Sequence, residues 1–317
     1  MAAYTTIDDA GSFYNAKLYT GNSSTNAITG VGFQPDFIWN KLRNTSGQYI
    51  KAQDSIRTAD IWFNVGDTNA STSGGDLVSF DSDGFTVESD ANAWNYTGYN
   101  YFSSSWKAGT TSGITGGTIT PASYSINATS GFGIYKYAGN STAGATIAHG
   151  LGVTPQMILI KNMDIADDWQ VYHEGIGNTK YMILNLSNAE ATATNRWNDT
   201  SPTSTVFSLG DTGVVNTGND YMAYVFANVQ GFSKFGSYTG NGDADGPFIY
   251  TGFKPQLFIQ KEVPNSGDWH IAFNNKTTEY NPISGLLYAN TNASDSDNIS
   301  CDFNSNGIKL RTDGGGQ

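Results

Sequence analysis

Cysteine is nearly absent: Cys301 is the only one in 317 residues, so no disulfide can form within the chain and folding rests on burial and hydrogen bonding. Small disulfide-stapled scaffolds are thereby excluded. Glutamate is scarce as well, with only Glu88, Glu174, Glu190, Glu262 and Glu279, while the other acids are aspartates, which prefer turns and caps to helix interiors. Basic residues are few, 16 Lys+Arg against 28 Asp+Glu for a formal net charge of -12. A field of that sign repels phosphate backbones and anionic lipid, so neither nucleic acid nor a membrane is an expected partner. No stretch of 18 apolar residues occurs, and Met1 to Asp9 lacks a basic region followed by an apolar one, which predicts cytoplasmic synthesis without a membrane span. The three histidines, His149, His173 and His270, show no zinc-ligand spacing among themselves or with Cys301. A nucleophile elbow and a phosphate-binding loop are also missing from the sequence. A non-enzymatic protein without a required cofactor is the expectation.

What the chain has is aromatic residues, 13% of the total, and 37 glycines, a composition suited to strands joined by tight turns. Self-comparison then finds one pattern three times. Its first element is Tyr19-Thr20-Gly21-Asn22, Tyr137-Ala138-Gly139-Asn140 and Tyr238-Thr239-Gly240-Asn241. A second turn follows at Gly32 to Pro35, Gly152 to Pro155 and Gly252 to Pro255. Behind each proline runs an apolar stretch ending in lysine six positions on, at Lys41, Lys161 and Lys261. Fourteen positions after each proline stands an aromatic residue: Tyr49, Trp169 and Trp269. Packing against the sheet is the simplest role for an aromatic at constant spacing.

The predicted fold is all-β, with three tandem antiparallel β-sandwich or jelly-roll-like repeats. Residues 1–109 hold an N-terminal arm and the first copy, 131–232 the second and 233–317 the third. Residues 110–130, rich in Gly, Ser and Thr, are expected to be a flexible linker. The first two copies close with aromatic strands at Tyr99 to Trp106 and Tyr221 to Phe226. The third has no such strand before Gln317, which predicts an open sheet edge covered by a neighbouring subunit or by further residues.

Candidate sites are few. Sugar contact needs exposed rings beside hydrogen-bonding groups, and Trp94, Tyr96, Trp197 and Tyr280 can supply them; core packing is the competing role. Asn241-Gly242-Asp243-Ala244-Asp245-Gly246 resembles the start of a calcium loop, with Asp243 and Asp245 as ligands, but Gly252 stands where the bidentate Glu belongs. A plain turn is the alternative to Ca2+ binding there.

The opening Tyr4-Thr5-Thr6-Ile7-Asp8-Asp9, the stretch His149-Gly150-Leu151-Gly152-Val153-Thr154-Pro155, and Gln230-Gly231-Phe232-Ser233-Lys234-Phe235-Gly236-Ser237-Tyr238 carry a resemblance. The chain resembles an uncharacterised β-sandwich repeat family of marine tailed phages and their prophages, over essentially its whole length. That resemblance implies concanavalin-like repeats and a virion protein, tail-fibre-like or at the particle surface. Its expected partners are other phage structural proteins, further copies of itself as a homo-oligomer such as a trimer, and a host cell-surface glycan. A capsid decoration protein and a carbohydrate-binding or depolymerising enzyme stand as the alternative readings.

Overall fold

The structure, a computed structural model, describes residues 5–74, 76–88, 93–274 and 281–312. Among them the regular secondary structure is almost entirely antiparallel β-strand, as the composition predicts. The first lobe contains β1 (Tyr14–Thr20), β2 (Asn26–Ile28), β3 (Phe37–Leu42), β4 (Lys51–Asp54), β5 (Trp62–Asn64), β6 (Leu77–Asp81), β7 (Gly84–Val87) and β8 (Asn100–Trp106). Its large sheet has the order β1-β8-β3-β4-β5, and β2-β7-β6 form a small one.

The second lobe contains β9 (Ser123–Asn127), β10 (Phe132–Ala138), β11 (Ala145–Ala148), β12 (Pro155–Asn162), β13 (Gln170–His173), β14 (Lys180–Ile183), β15 (Ala191–Thr192), β16 (Val206–Leu209) and β17 (Asp220–Ala227). Seven of these form one sheet, β15-β14-β13-β12-β17-β10-β9, and β11 pairs with β16. The third lobe runs β18 (Phe248–Tyr250), β19 (Leu257–Gln260), β20 (His270–Phe273), β21 (Ile283–Tyr288), β22 (Ser296–Asn304) and β23 (Gly307–Leu310), in the sheet order β18-β23-β22-β21-β20-β19.

Strands β3 and β12 are apolar on both faces because each separates two cores. Phe37 and Trp39 of β3, and Met157 and Leu159 of β12, face a central core that also takes Trp169 and Tyr224 from the second lobe and Trp269, Ile271 and Phe273 from the third. Their alternate neighbours face the lobe's own core: Ile38 beside Phe85 and Trp94 in the first, Ile158 and Ile160 beside Tyr135 and Trp197 in the second. In the third lobe Phe303, Ile308 and Leu310 form the separate core. Each large apolar side chain so buried contributes about 1.5–3 kcal/mol, and a central core shared by three lobes leaves none of them an independent bead.

The lysines that end the apolar runs lock the lobes together. Lys161 Nζ donates to Thr68 O of the first lobe at 2.9 Å, Lys261 Nζ to Ser187 O of the second at 3.3 Å, and Lys41 Nζ to Thr291 O of the third at 3.0 Å. Backbone bonds repeat the same cycle. Asp167 N donates to Thr68 O, Gly267 N to Ser187 O and Gly47 N to Asn292 O, each twelve positions after its proline. Trp169 Nε1 donates to Asn64 O and Trp269 Nε1 to Ile183 O, both at 2.9 Å. Second contacts one, third contacts two and first contacts three, so the ring closes.

The linker expectation is corrected. Within 110–130, Thr110 bridges Ile126, Gly117 and Ile119 bridge Ile147, and β9 pairs with β10. Ile119 and Ile126 are buried in the second lobe's core. The segment is a wall of that lobe, since its spaced isoleucines give it apolar surface to bury despite the Gly, Ser and Thr around them.

Candidate carbohydrate-contact face

Two of the rings expected to contact sugar are buried and are corrected here. Trp94 has no exposure and meets Phe85 edge-on at 5.8 Å. Trp197 is 1% exposed, with Nε1 donating to Lys180 O at 3.0 Å. Both fill lobe cores, the competing role for each. Tyr96 is exposed and lies 5.0 Å from the Tyr99 ring. Tyr280 lies outside the described residues.

The exposed aromatic surface that sequence reasoning missed is on β18. Phe248 is 46% and Tyr250 63% exposed. Period-two alternation puts both on one face, about 7 Å apart along the strand, while Ile249 between them packs on the third lobe's core. The tip of each ring comes near a glycine. A Cβ on Gly307 would fall 2.6 Å from the Phe248 Cζ, and one on Gly252, whose φ is +85°, would stand 3.6 Å from the Tyr250 hydroxyl. The edge of the Phe248 ring thus packs close to Gly307, and both rings stay substantially exposed.

Polar groups share that face. Directly opposed residues on neighbouring strands point the same way, and the pairings Asp302↔Lys309↔Phe248 and Asn304↔Gly307↔Tyr250 set two such rows. Lys309 pairs with Asp245 at 2.7 Å, and that ammonium, by hydrogen bond and charge, holds the Asp245 carboxyl below the usual aspartate range. Arg311 Nε donates to Asp302 Oδ2 at 2.7 Å, and these two with Asn281 and Pro282 line an open recess of about 380 Å³. The face thus offers planar apolar surface beside hydrogen-bond donors and acceptors.

At the candidate calcium loop, Asp243 Oδ1 accepts from Asp245 N at 2.8 Å, and the Asp245 carboxylate is engaged by Lys309. Among the described residues no three acidic, histidine or cysteine side chains gather to hold a metal. The loop's second aspartate belongs to the aromatic face, with an ammonium where a cation would sit.

His149 and Cys301 are buried, while His173 and His270 are partly exposed. His149 Nε2 lies 3.1 Å from Thr203 O, and burial lowers its pKa. Burial pushes the Cys301 thiol up to about 12, so it is protonated at neutral pH. No helix among the described residues is long and apolar enough to cross a membrane.

The positions flanking the inward residue of each equivalent strand differ between lobes. Ile28, Ile147 and Ile249 oppose Phe85, Phe207 and Ile308. Ala27 and Thr29 flank the first, Thr146 and Ala148 the second, Phe248 and Tyr250 the third. Two lobes fold with small residues there, so the large rings of the third are not required by the scaffold.

Residues 9–317 match the model of a family described as Domain of unknown function (DUF7483), and the chain belongs to that family. No curated protein and no solved structure matches it.

Proposed function

We propose that this member of the DUF7483 family is a non-enzymatic structural and adhesive protein of a tailed-phage particle, presenting the β18 face of its third lobe to a host-surface glycan. Three lobes sharing one core make a rigid body suited to display. The observation that carries the adhesive reading is the pair of exposed rings on one face of β18, at positions where the other lobes have small residues. Sugars offer patches of C–H surface that stack on flat rings, with hydroxyls that bond to flanking charged and amide groups, and the face holds both.

Because one chain supplies three lobes, threefold arrangement is available without a homotrimer, and assembly contacts fall to other particle proteins. Antibody labelling and electron cryomicroscopy of purified particles from cells expressing the chain test the placement. Regular labelling of the tail is expected. Labelling of the head would favour the capsid decoration reading, and particles free of the protein would contradict a virion role.

A further inference from the structure

Buried lysines in this chain normally end on carbonyls. Lys41 Nζ donates to Gln48 O and Thr291 O, and Lys161 Nζ to Thr68 O and Asp167 O. Lys51 is also buried, at 7% exposure, yet among the described residues its Nζ has neither a hydrogen-bond acceptor nor an ion pair. It lies 3.1 Å from the centre of the Trp62 ring instead. Burial lowers its pKa to about 8, although Asp76 and Asp67 act in the opposite direction. About a tenth of the side chain is therefore neutral amine at pH 7.

The residue across the strand pair complements it. Lys51 of β4 stands directly opposite Asn64 of β5, which puts both side chains on one face with Cβ atoms about 4.5–5.5 Å apart, inside the reach of a lysine. Trp62, two residues before Asn64, shares that face, so the amine above its ring is one side-chain swing from the Asn64 amide. Asn64 Oδ1 is buried without a donor and Trp62 Nε1 without an acceptor, while Asn64 Nδ2 donates to Asp67 Oδ2 at 2.5 Å. The backbone there is held by Trp169 Nε1, which donates to Asn64 O. In the other lobes the corresponding opposed pairs are Gln170 with Ile183 and His270 with Tyr288. The scaffold therefore does not require a lysine facing an asparagine.

We propose that Lys51 and Asn64 join in an intramolecular amide bond, a covalent staple between β4 and β5. The neutral Nζ attacks Cγ of Asn64, forming the new C–N bond while the carbonyl electron pair moves onto Oδ1. Asp67, already bound to Nδ2, takes a proton from Nζ and passes it to Nδ2. The Cγ–Nδ2 bond then breaks, the carbonyl re-forms and Nδ2 leaves as ammonia. Nothing is oxidised or reduced: an amine and a primary amide become a secondary amide and ammonia. The Trp62 ring over the amine keeps water, the competing nucleophile, away from the reacting groups. The bond ties down the last strand of its sheet and, through Asn64, the contact Trp169 makes with it. A linked Lys51 no longer titrates, so the alkaline behaviour then rests on Lys41 and Lys161.

Mass spectrometry of the purified full chain tests the bond. The intact mass is expected to fall short by one ammonia, about 17 Da. Trypsin should leave Lys51 uncut and yield residues 44–57 linked to residues 58–107, and Lys51→Arg should restore the full mass. A chain at its full mass, a free peptide 44–51, or an ammonia loss that maps to another asparagine or survives Lys51→Arg would overturn the proposal. The peptide map is read on the unaltered protein, so the result does not depend on how a variant folds.

Discussion

Replacing Arg57 by methionine tests whether the lobes are one cooperative body. Arg57 Nε donates to Asp54 Oδ2 at 2.7 Å, and the two side chains are 1% and 0% exposed. Tyr224 of the second lobe donates to the same carboxylate at 2.7 Å and lies 3.1 Å from Arg57 Nη2. The guanidinium also stands 4.0 Å from the centre of the Phe63 ring. Methionine keeps the apolar stem and the packing on Phe63, so the change isolates the charge. It leaves the Asp54 carboxylate buried without its cation, a loss worth about 3–5 kcal/mol. Chemical denaturation followed by tryptophan fluorescence and by circular dichroism measures it. One transition, at lower denaturant and with unchanged slope, is expected for both probes. Asp54→Asn added to Arg57→Met should recover at least half of the loss, because no unpaired charge remains. A loss under about 1 kcal/mol, or two transitions of which only one moves, would refute a single shared body.

Further expectations concern pH, the former linker and the aromatic face. Burial lowers the pKa of Lys41, Lys51 and Lys161 to about 8. The folded state therefore releases these protons before the unfolded chain does, and stability rises between about pH 8 and 10, by up to about 1.4 kcal/mol per pH unit for each lysine. Burial raises Tyr101 and Tyr238 to about 12, so stability falls again above about pH 10; a melting temperature that declines steadily from pH 8 would contradict this. Ile119→Ala should cost about 2–4 kcal/mol as a core truncation, whereas a free tether would show no measurable change. Gly307→Ala places a Cβ against the Phe248 ring and Ile249 O; glycan retention should drop while the fold survives with a cost of about 1–3 kcal/mol, read by affinity electrophoresis beside a thermal melt.

Much of this architecture was legible in the sequence. The prolines at 35, 155 and 255, with lysines six and aromatics fourteen positions on, marked the strands and, at Trp169 and Trp269, rings that pack between lobes. The shared core was not legible. A strand buried on both faces, such as Met157 to Ile160, presents an unbroken apolar run, and nothing in such a run says which side chains meet their own lobe and which meet another. Composition misled at 110–130, where Ile119 and Ile126 outweigh their small neighbours once a sheet is there to receive them. Trp94 and Trp197 show the same limit from the other side: aromatic residues are so frequent here that ring type alone does not separate core from surface. Phe248 and Tyr250 could have been found by comparing the copies, since they flank Ile249 where Ala27, Thr29, Thr146 and Ala148 stand elsewhere.

Adhesion without bond breaking is tested most directly by incubating the intact protein with purified host surface polysaccharide, measuring both retention and released reducing ends. The account predicts retention that falls at least tenfold in Phe248→Ala/Tyr250→Ala and no reducing ends from either protein. Undiminished retention by the double variant, or steady release of reducing ends by the unaltered protein, would contradict it.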